Sequence, residues 1–349
     1  MSLSIRVGKV ELKNPLICGS GEHVISSRGV RAALAAGAGA VSAKSTNESE
    51  AAKRQLDGTD YALFDARWNR LPWDFNPPPD AQLFCRSGLI QEPFDAWLER
   101  IAALDREARS QDAYVLANLI LADLDQCARM AKAVEQAGLR VLVLNVGAPH
   151  GGEATPGAIV LEKSSDRVRK IVERIRKTVS IPLWVKLTGQ SEDVAALAQA
   201  AKEGGADAVI VMGRFMALVP DVETRAPALG TVGAIGGPWA LAITSRWLAI
   251  TRQRVGRDFP LIATNGARSG LDIARFLLAG ASAVEMSSAI MAGGSAAISD
   301  ALLELKDYLK KNGVTAESLV GEAADKLETY QQQASRPGHW KKFVPPEML

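Results

Sequence analysis

The chain has 349 residues, 47% of them hydrophobic, and its 41 Lys and Arg against 39 Asp and Glu leave a formal net charge of +2. Basic residues are scattered rather than clustered, which excludes an electrostatic footprint for nucleic acid or a membrane surface, and no uncharged apolar run reaches the length of a membrane span. The three cysteines, Cys18, Cys85 and Cys127, are odd in number and far apart, against a disulfide framework, a zinc site or an in-chain iron–sulfur cluster.

The first residues, MSLSIRVGKVELKN, lack the apolar core of a signal peptide, so a soluble, cytoplasmic protein without a metal is expected. Beyond them, short apolar runs alternate with longer segments of helical periodicity. Strands are predicted at 15–19, 39–43, 114–119, 140–145, 182–187, 207–212, 260–264 and 282–286. Between them, AKAVEQAGLR, LAQAAKEGGAD and IARFLLAGAS each end in an A-G or G-G pair, as helices with a glycine stop do. Eight such units predict an α/β fold, a single (β/α)8 TIM barrel over 1–312, with no second set of strands.

Two connections are too long to be simple. Residues 45–113 follow the second strand and carry ARWNRLPWDFNPPPDAQLF; residues 213–235 follow the sixth and carry Arg214, Asp221, Glu223 and Arg225. Both leave the C-terminal ends of strands, where barrel active sites sit, and long loops there are lids or binding loops. A subunit interface using Trp68 and Trp73 is the other reading of 45–113. Residues 313–349 are expected to form one more helix, from about Thr315, and a polar tail, RPGHWKKFVPPEML.

Polar residues fall where a barrel interior is normally apolar. Lys44 ends the second strand, Asn145 the fourth, and Lys186 lies inside the fifth. A lysine there needs an anionic partner or a catalytic task. Thr264-Asn265-Gly266 after the seventh strand and Ser287-Ser288-Ala289 after the eighth occupy the usual phosphate site of barrels, and Gly236-Gly237 adds further amides.

The segments NPLICGSGEH, AVSAKS, LNVGAPHG, IPLWVKLT, AAKEGGAD, GAIGGP, PLIATNGARSG and GASAVEMSSA resemble, in order and spacing, the dihydroorotate dehydrogenases. They are more similar still to the FMN domain of dihydropyrimidine dehydrogenases, over roughly residues 5–310. The resemblance implies a hydride-transferring FMN oxidoreductase. Gly19, Ser20 and Gly21 would lie along the flavin with Lys44 and Ser45 beside it. Lys186 would sit at its N1/O2 edge and favour the anionic reduced flavin. Asn118 and Asn145 would bond flavin or substrate, and Gly236, Gly237, Asn265, Gly266, Ser287 and Ser288 would hold the phosphate. Gly213 and Thr264, at adjoining strand ends, complete the expected cofactor set.

The pattern breaks in the substrate half. Where the family carries a proton-exchanging Cys or Ser, this chain has Ala148; where it carries substrate-reading asparagines, this chain has Gly213-Arg214 and, in the other loop, Cys85-Arg86. Arg86 and Arg214, with Asn145, point to a small substrate with a carboxylate or another anion, different from dihydroorotate and uracil. The candidates for proton transfer are His150, His23, Cys85 and Tyr61, while Cys18 and Cys127 read as core. Two other readings stay open: a phosphate-binding lyase or isomerase using Lys186 as a Schiff-base amine, and a flavin-binding protein without catalysis. No G-x-G-x-x-G follows a strand, so reduced flavin would be reoxidised by a second substrate, by oxygen or by an electron-transfer partner subunit. The resemblance also implies a homodimer.

Overall fold

Eight short runs of buried aliphatic residues pair side by side and close into a parallel barrel in the computed structural model, which describes residues 2–152 and 154–349. The strands are β1 (Leu16–Cys18), β2 (Ala40–Ser42), β3 (Tyr114–Ile120), β4 (Leu142–Asn145), β5 (Leu183–Lys186), β6 (Ala208–Val211), β7 (Leu261–Thr264) and β8 (Ala283–Met286). Each occupies its predicted run, β3 reaching one residue further. Ring closure comes from β8 on β1, with Val284 beside Leu16. Strands buried on both faces need apolar side chains at every position, which is why VLVLN and AVIV read as strands without alternation.

A barrel helix follows each strand: α1 (Ser27–Ala35), α2 (Phe94–Ala108), α3 (Leu124–Gln136), α4 (Ser165–Arg176), α5 (Val194–Glu203), α6 (Leu241–Val255), α7 (Gly270–Leu278) and α8 (Ala296–Asn312), with short extra helices at Glu50–Arg54 after β2 and Ser288–Gly293 after β8. Five of these starts are set by side-chain caps: Ser26, Asp123, Ser164, Asp193 and Ser269 each accept a first-turn backbone N–H. The predicted stops hold as well, since Gly138, Gly205 and Gly280 have φ of 80°, 97° and 111°, open to glycine at no steric cost. Asp105 on α2 is 1% exposed and takes two guanidinium bonds from Arg140, at 2.7 and 2.9 Å, and the Val115 N–H at 2.9 Å. That buried pair fastens α2 to the starts of β3 and β4.

Two expectations need correction. A second set of strands does exist. The two long connections form an antiparallel sheet in the order Phe215–Ala217, Gly233–Gly236, Gln82–Arg86, Asp60–Phe64, Arg70–Leu71. It roofs the C-terminal end of the barrel, with Phe84, Phe64, Val219 and Ile235 in a small core of its own. At the opposite end, a hairpin of Ile5–Val7 and Val10–Leu12 brings Gly8 against Asp207 and Pro260, where β6 and β7 begin. The second correction concerns the C-terminus. From Thr315 onward the chain makes short 3-10 turns, such as Glu317–Leu319 and Ala324–Lys326, in place of an α-helix. Gly321 adopts φ 80°, and Asp325 is drawn to Arg252 on α6 at 2.9 Å, so the segment is held as turns against the barrel. Trp68 is exposed as expected, whereas Trp73 is half-buried, packed edge-on to Tyr61 at 6.0 Å.

Candidate functional site

A cavity with about 1100 Å³ of empty space lies between the strand ends and the roof. Its floor is made by Lys44 after β2, Asn118 in β3, Asn145 ending β4, Lys186 ending β5, Thr264 ending β7 and Glu285 in β8. Ser20, Gly21, Ser45, Gly213, Gly236, Asn265, Gly266, Ser287 and Ser288 complete the predicted cofactor residues that reach it. Gly19 and Gly237 stand just behind. The Gly19 N–H donates to Met286 O at 2.7 Å and the Gly237 N–H to Asn265 Oδ1 at 3.4 Å.

The floor is prepared for a polar ligand. Asn118 donates to Ser42 Oγ at 3.0 Å but leaves its Oδ1 buried without a partner, and Asn265 leaves its Nδ2 so. Unsatisfied buried groups of this kind are costly unless a ligand completes them. Asn265 and Met212 both sit in the left-handed region, φ 69° and 73°, at the ends of β7 and β6. Such strain collects at binding sites, and the Thr244 hydroxyl, donating to Asn265 O at 2.7 Å, holds it in place. At Gly266, φ 131°, a Cβ would meet the backbone of Leu241 at 2.8 Å, so only glycine lets this cavity-lining loop pass so close to the start of α6. Ser20 Oγ lies 3.0 Å from Ser45 Oγ, clasping the loops after β1 and β2.

Charges in the cavity are paired with one exception. Lys44 Nζ donates to Glu22 at 2.8 Å and Lys186 Nζ to Glu285 at 2.5 Å. Burial pulls the Glu22 carboxyl upward, but Lys44 outweighs it and leaves the pKa below the usual carboxylate range. Arg214, by contrast, makes no ion pair among the described residues. Its guanidinium donates to the Cys85 sulfur and, at 3.2 Å, to Ser87 Oγ. Ser87 Oγ lies in turn 3.4 Å from His150 Nε2. Burial first, and then Arg214 and Lys44, push the His150 pKa down to about 3, so its imidazole is neutral at physiological pH.

Ala148 is 5% exposed and lines the cavity beside Pro149 and His150. Of the other proton-transfer candidates, none reaches the lining. His23 packs behind Gly21 with Nε2 3.4 Å from Cys18 Sγ, and burial lowers its pKa to about 4. Cys85 is buried in the roof, its thiol pushed up by desolvation. Tyr61 is half-buried with its hydroxyl pushed up by burial and Glu22. Arg86 lies outside as well, half-exposed across the roof from Asp60 at 4.0 Å. The site residues not foreseen are Glu22, Glu285 and Ser87. Glu285 carried a readable signal, an acid inside an otherwise apolar barrel strand; Ser87 carried none.

The family model described as dihydroorotate dehydrogenase matches residues 2–309. The chain belongs to the dihydroorotate dehydrogenase family. It is a flavin-dependent oxidoreductase, and the ion pair that engages Lys186 fits that assignment better than a Schiff-base lyase, which needs a free amine. The catalytic subunit of dihydroorotate dehydrogenase B (NAD(+)) from Methanocaldococcus jannaschii is 26% identical over 326 residues, 92% of this chain and 98% of that one. The corresponding subunit from Desulforudis audaxviator is 30% identical over 256 residues, 71% of this chain and 80% of its own. Dihydroorotate dehydrogenase A (fumarate) of Lactobacillus helveticus is 31% identical over 167 residues, 47% of this chain and 53% of its own. No helix among the described residues is long and apolar enough to cross a membrane.

Proposed function

We propose that this chain binds FMN and interconverts a small carboxylate-bearing substrate and its unsaturated partner, the substrate being neither dihydroorotate nor uracil. Bound FMN supplies the hydride-accepting N5 position. Lys44, Ser45, Asn118, Asn145 and Lys186 would hold the ring system, with Lys186 at the N1/O2 edge. Gly236, Gly237, Asn265, Gly266, Ser287 and Ser288 would take the phosphate through backbone N–H groups, hydroxyls and the free Asn265 Nδ2. These residues fit the cofactor, because the orphaned amide atoms and the bare Gly266 backbone meet in one cavity.

The observation that carries the substrate class is Arg214. Lys44 and Lys186 are neutralised by Glu22 and Glu285, which leaves the guanidinium as the cavity's uncompensated charge among the described residues. Arg214 is half-buried without a carboxylate partner among the described residues, and a substrate carboxylate would supply its counterion and be oriented by it. Ala148 has no proton to exchange, and His150, held neutral by burial, is too weak a base to replace it and would instead orient the substrate through Ser87, 3.4 Å from its Nε2. Reoxidation falls to an electron-transfer partner subunit, in keeping with relatives whose names describe a catalytic subunit, and the chain pairs with a second copy.

The test begins with the visible spectrum of the purified protein and chromatography of any released chromophore. FMN is expected, with no turnover of dihydroorotate or uracil. A chain that neither carries nor takes up FMN overturns the cofactor reading, and ordinary turnover of either pyrimidine overturns the substrate reading.

A further inference from the structure

From Glu328 to Leu349 the chain forms short turns, such as His339–Phe343, that hydrogen-bond only within the segment among the described residues. None of its side chains joins the hydrophobic core. Its large apolar groups face outward instead: Tyr330, Trp340 and Phe343 are exposed, the last two at 59% and 76%. Residues three apart eclipse one another in a 3-10 turn, so Trp340 and Phe343 share a face, with the His339 ring edge-on to Phe343 at 5.4 Å. Lys341 and Lys342 lie between them in the chain, Arg336 precedes and Glu347 follows. Exposed aromatics gathered in this way mark a contact surface. A groove with about 1060 Å³ of empty space opens between the start of α7, the first turns of α8, the short helix Ser288–Gly293 and the roof. Phe75, Pro77, Ala289 and Ala297 give it apolar walls. Asp300 and Glu304 on α8 supply two acids, and Arg268 before α7 supplies one cation. The arm is rooted at the other end of α7, where the Gly321 and Ala323 N–H groups donate to Leu277 O and Leu278 O at 2.8 and 3.0 Å.

We infer that the arm 328–349 of one copy of this chain docks in the groove of a second copy, which returns the contact with its own arm. The inference rests on the pairing of copies proposed above and gives that pairing its surface. Three features favour a second copy as the occupant. Charge is complementary: residues 336–349 carry three cations and Glu347, whereas the groove carries two acids and Arg268. With the Trp340–Phe343 face against Phe75 and Ala297, Lys341 and Lys342 meet Asp300 and Glu304, and Glu347 is left for Arg268. Placement is reciprocal: arm root and groove lie at opposite ends of α7, so a two-fold axis across that helix sets each root beside the other copy's groove and closes the assembly. Area suffices as well. An aromatic side chain buries about 150–250 Å², so Tyr330, Trp340 and Phe343 from two arms, with the walls they cover, exceed the roughly 1,000 Å² of a specific interface. Within one chain the arm touches none of the groove, whose lining contains no residue beyond Glu304.

The test is sedimentation equilibrium of the full chain as purified. Wild type is expected to be a dimer at micromolar concentration. Trp340→Ala/Phe343→Ala should weaken the dimer at least tenfold, and so should Asp300→Lys or Lys341→Glu/Lys342→Glu, all at exposed positions. Asp300→Lys combined with Lys341→Glu/Lys342→Glu in one chain should regain most of the affinity, a rescue that damage to folding would not give. A second measurement tells exchange from self-covering. Trp340→Cys/Ala297→Cys, treated with a short bismaleimide, should yield a covalent dimer on a denaturing gel, since the three native cysteines are buried; neither single variant should. A link closed within one chain, or no link, overturns the exchange. A dimer indifferent to the arm and groove substitutions overturns the exchange and leaves the pairing standing. A monomeric wild type overturns both, and the flavin content of the protein bears on neither.

Discussion

Replacing Arg214 by methionine keeps the length of the side chain and deletes the one cavity cation without a carboxylate partner among the described residues. A hydrogen bond to a charged group contributes about 1.5–3 kcal/mol, which corresponds to roughly a 10- to 150-fold weaker Kd for a small carboxylate. The assay needs no turnover: the FMN-loaded protein is titrated with fumarate, a dianion throughout the pH range used, and the visible flavin band is followed. Two controls come from the same geometry. The contact is enclosed by the roof, so raising salt should change the wild-type affinity little, because buried pairs are poorly screened. The sign of the pH dependence is also set. An ordinary histidine would gain charge as pH falls through 6.5 and tighten anion binding, but His150 is depressed to about 3 and stays neutral. Affinity should therefore be flat from pH 8 to pH 5. Equal Kd values for wild type and Arg214→Met would refute the counterion argument, and tightening near pH 6.5 would refute the neutral imidazole.

Three further outcomes concern stability and loading. His23 and His150 are bases depressed to about 4 and about 3, so below pH 6.5 the unfolded chain binds protons that the folded one refuses; urea unfolding should lose about 1.3 kcal/mol per histidine between pH 7.5 and 5.5, with His23→Gln removing about half of the total. Asp105→Ala strands the Arg140 guanidinium and should cost about 3–5 kcal/mol; for a chain of 349 residues that lowers Tm by about 4–7 °C, and a calorimetric shift under 1 °C would contradict the buried pair. Gly266→Ala forces a side chain into φ 131° against Leu241 and should weaken FMN retention, measured by flavin fluorescence on dilution; unaltered retention would move the phosphate contact elsewhere.

The barrel was legible because its strands are buried on both faces. That demands unbroken aliphatic runs such as LVLN and AVIV, bounded by glycines whose φ no other residue adopts cheaply. The roof was not, for a different reason. Its central pairing joins Phe84 to Ile235, far apart in the chain, and no local pattern announces a partner that distant. The segment after Thr315 has helical composition and buries Ala316, Leu319 and Ala324, but Gly321 at φ 80° and the Asp325–Arg252 contact break it into turns. In the site, Lys44 and Lys186 stood out as polar residues in apolar strands. Their partners obey the same logic, yet Glu22 hides in a loop and Glu285 required the argument to be applied to acids. Arg86 and Arg214 looked equivalent on paper. Strand register separates them: Arg86 pairs with Asp60 on the roof's outer side, whereas Arg214 lies before the strand that turns back over the cavity.

The roof sheet is stitched from two insertions, one after β2 and one after β6, while the floor is made of strand ends that the barrel cannot alter without losing its closure. The two halves of the cavity are thus free to evolve at different rates. Substitutions in the roof can exchange one guest for another while the floor beneath stays in service.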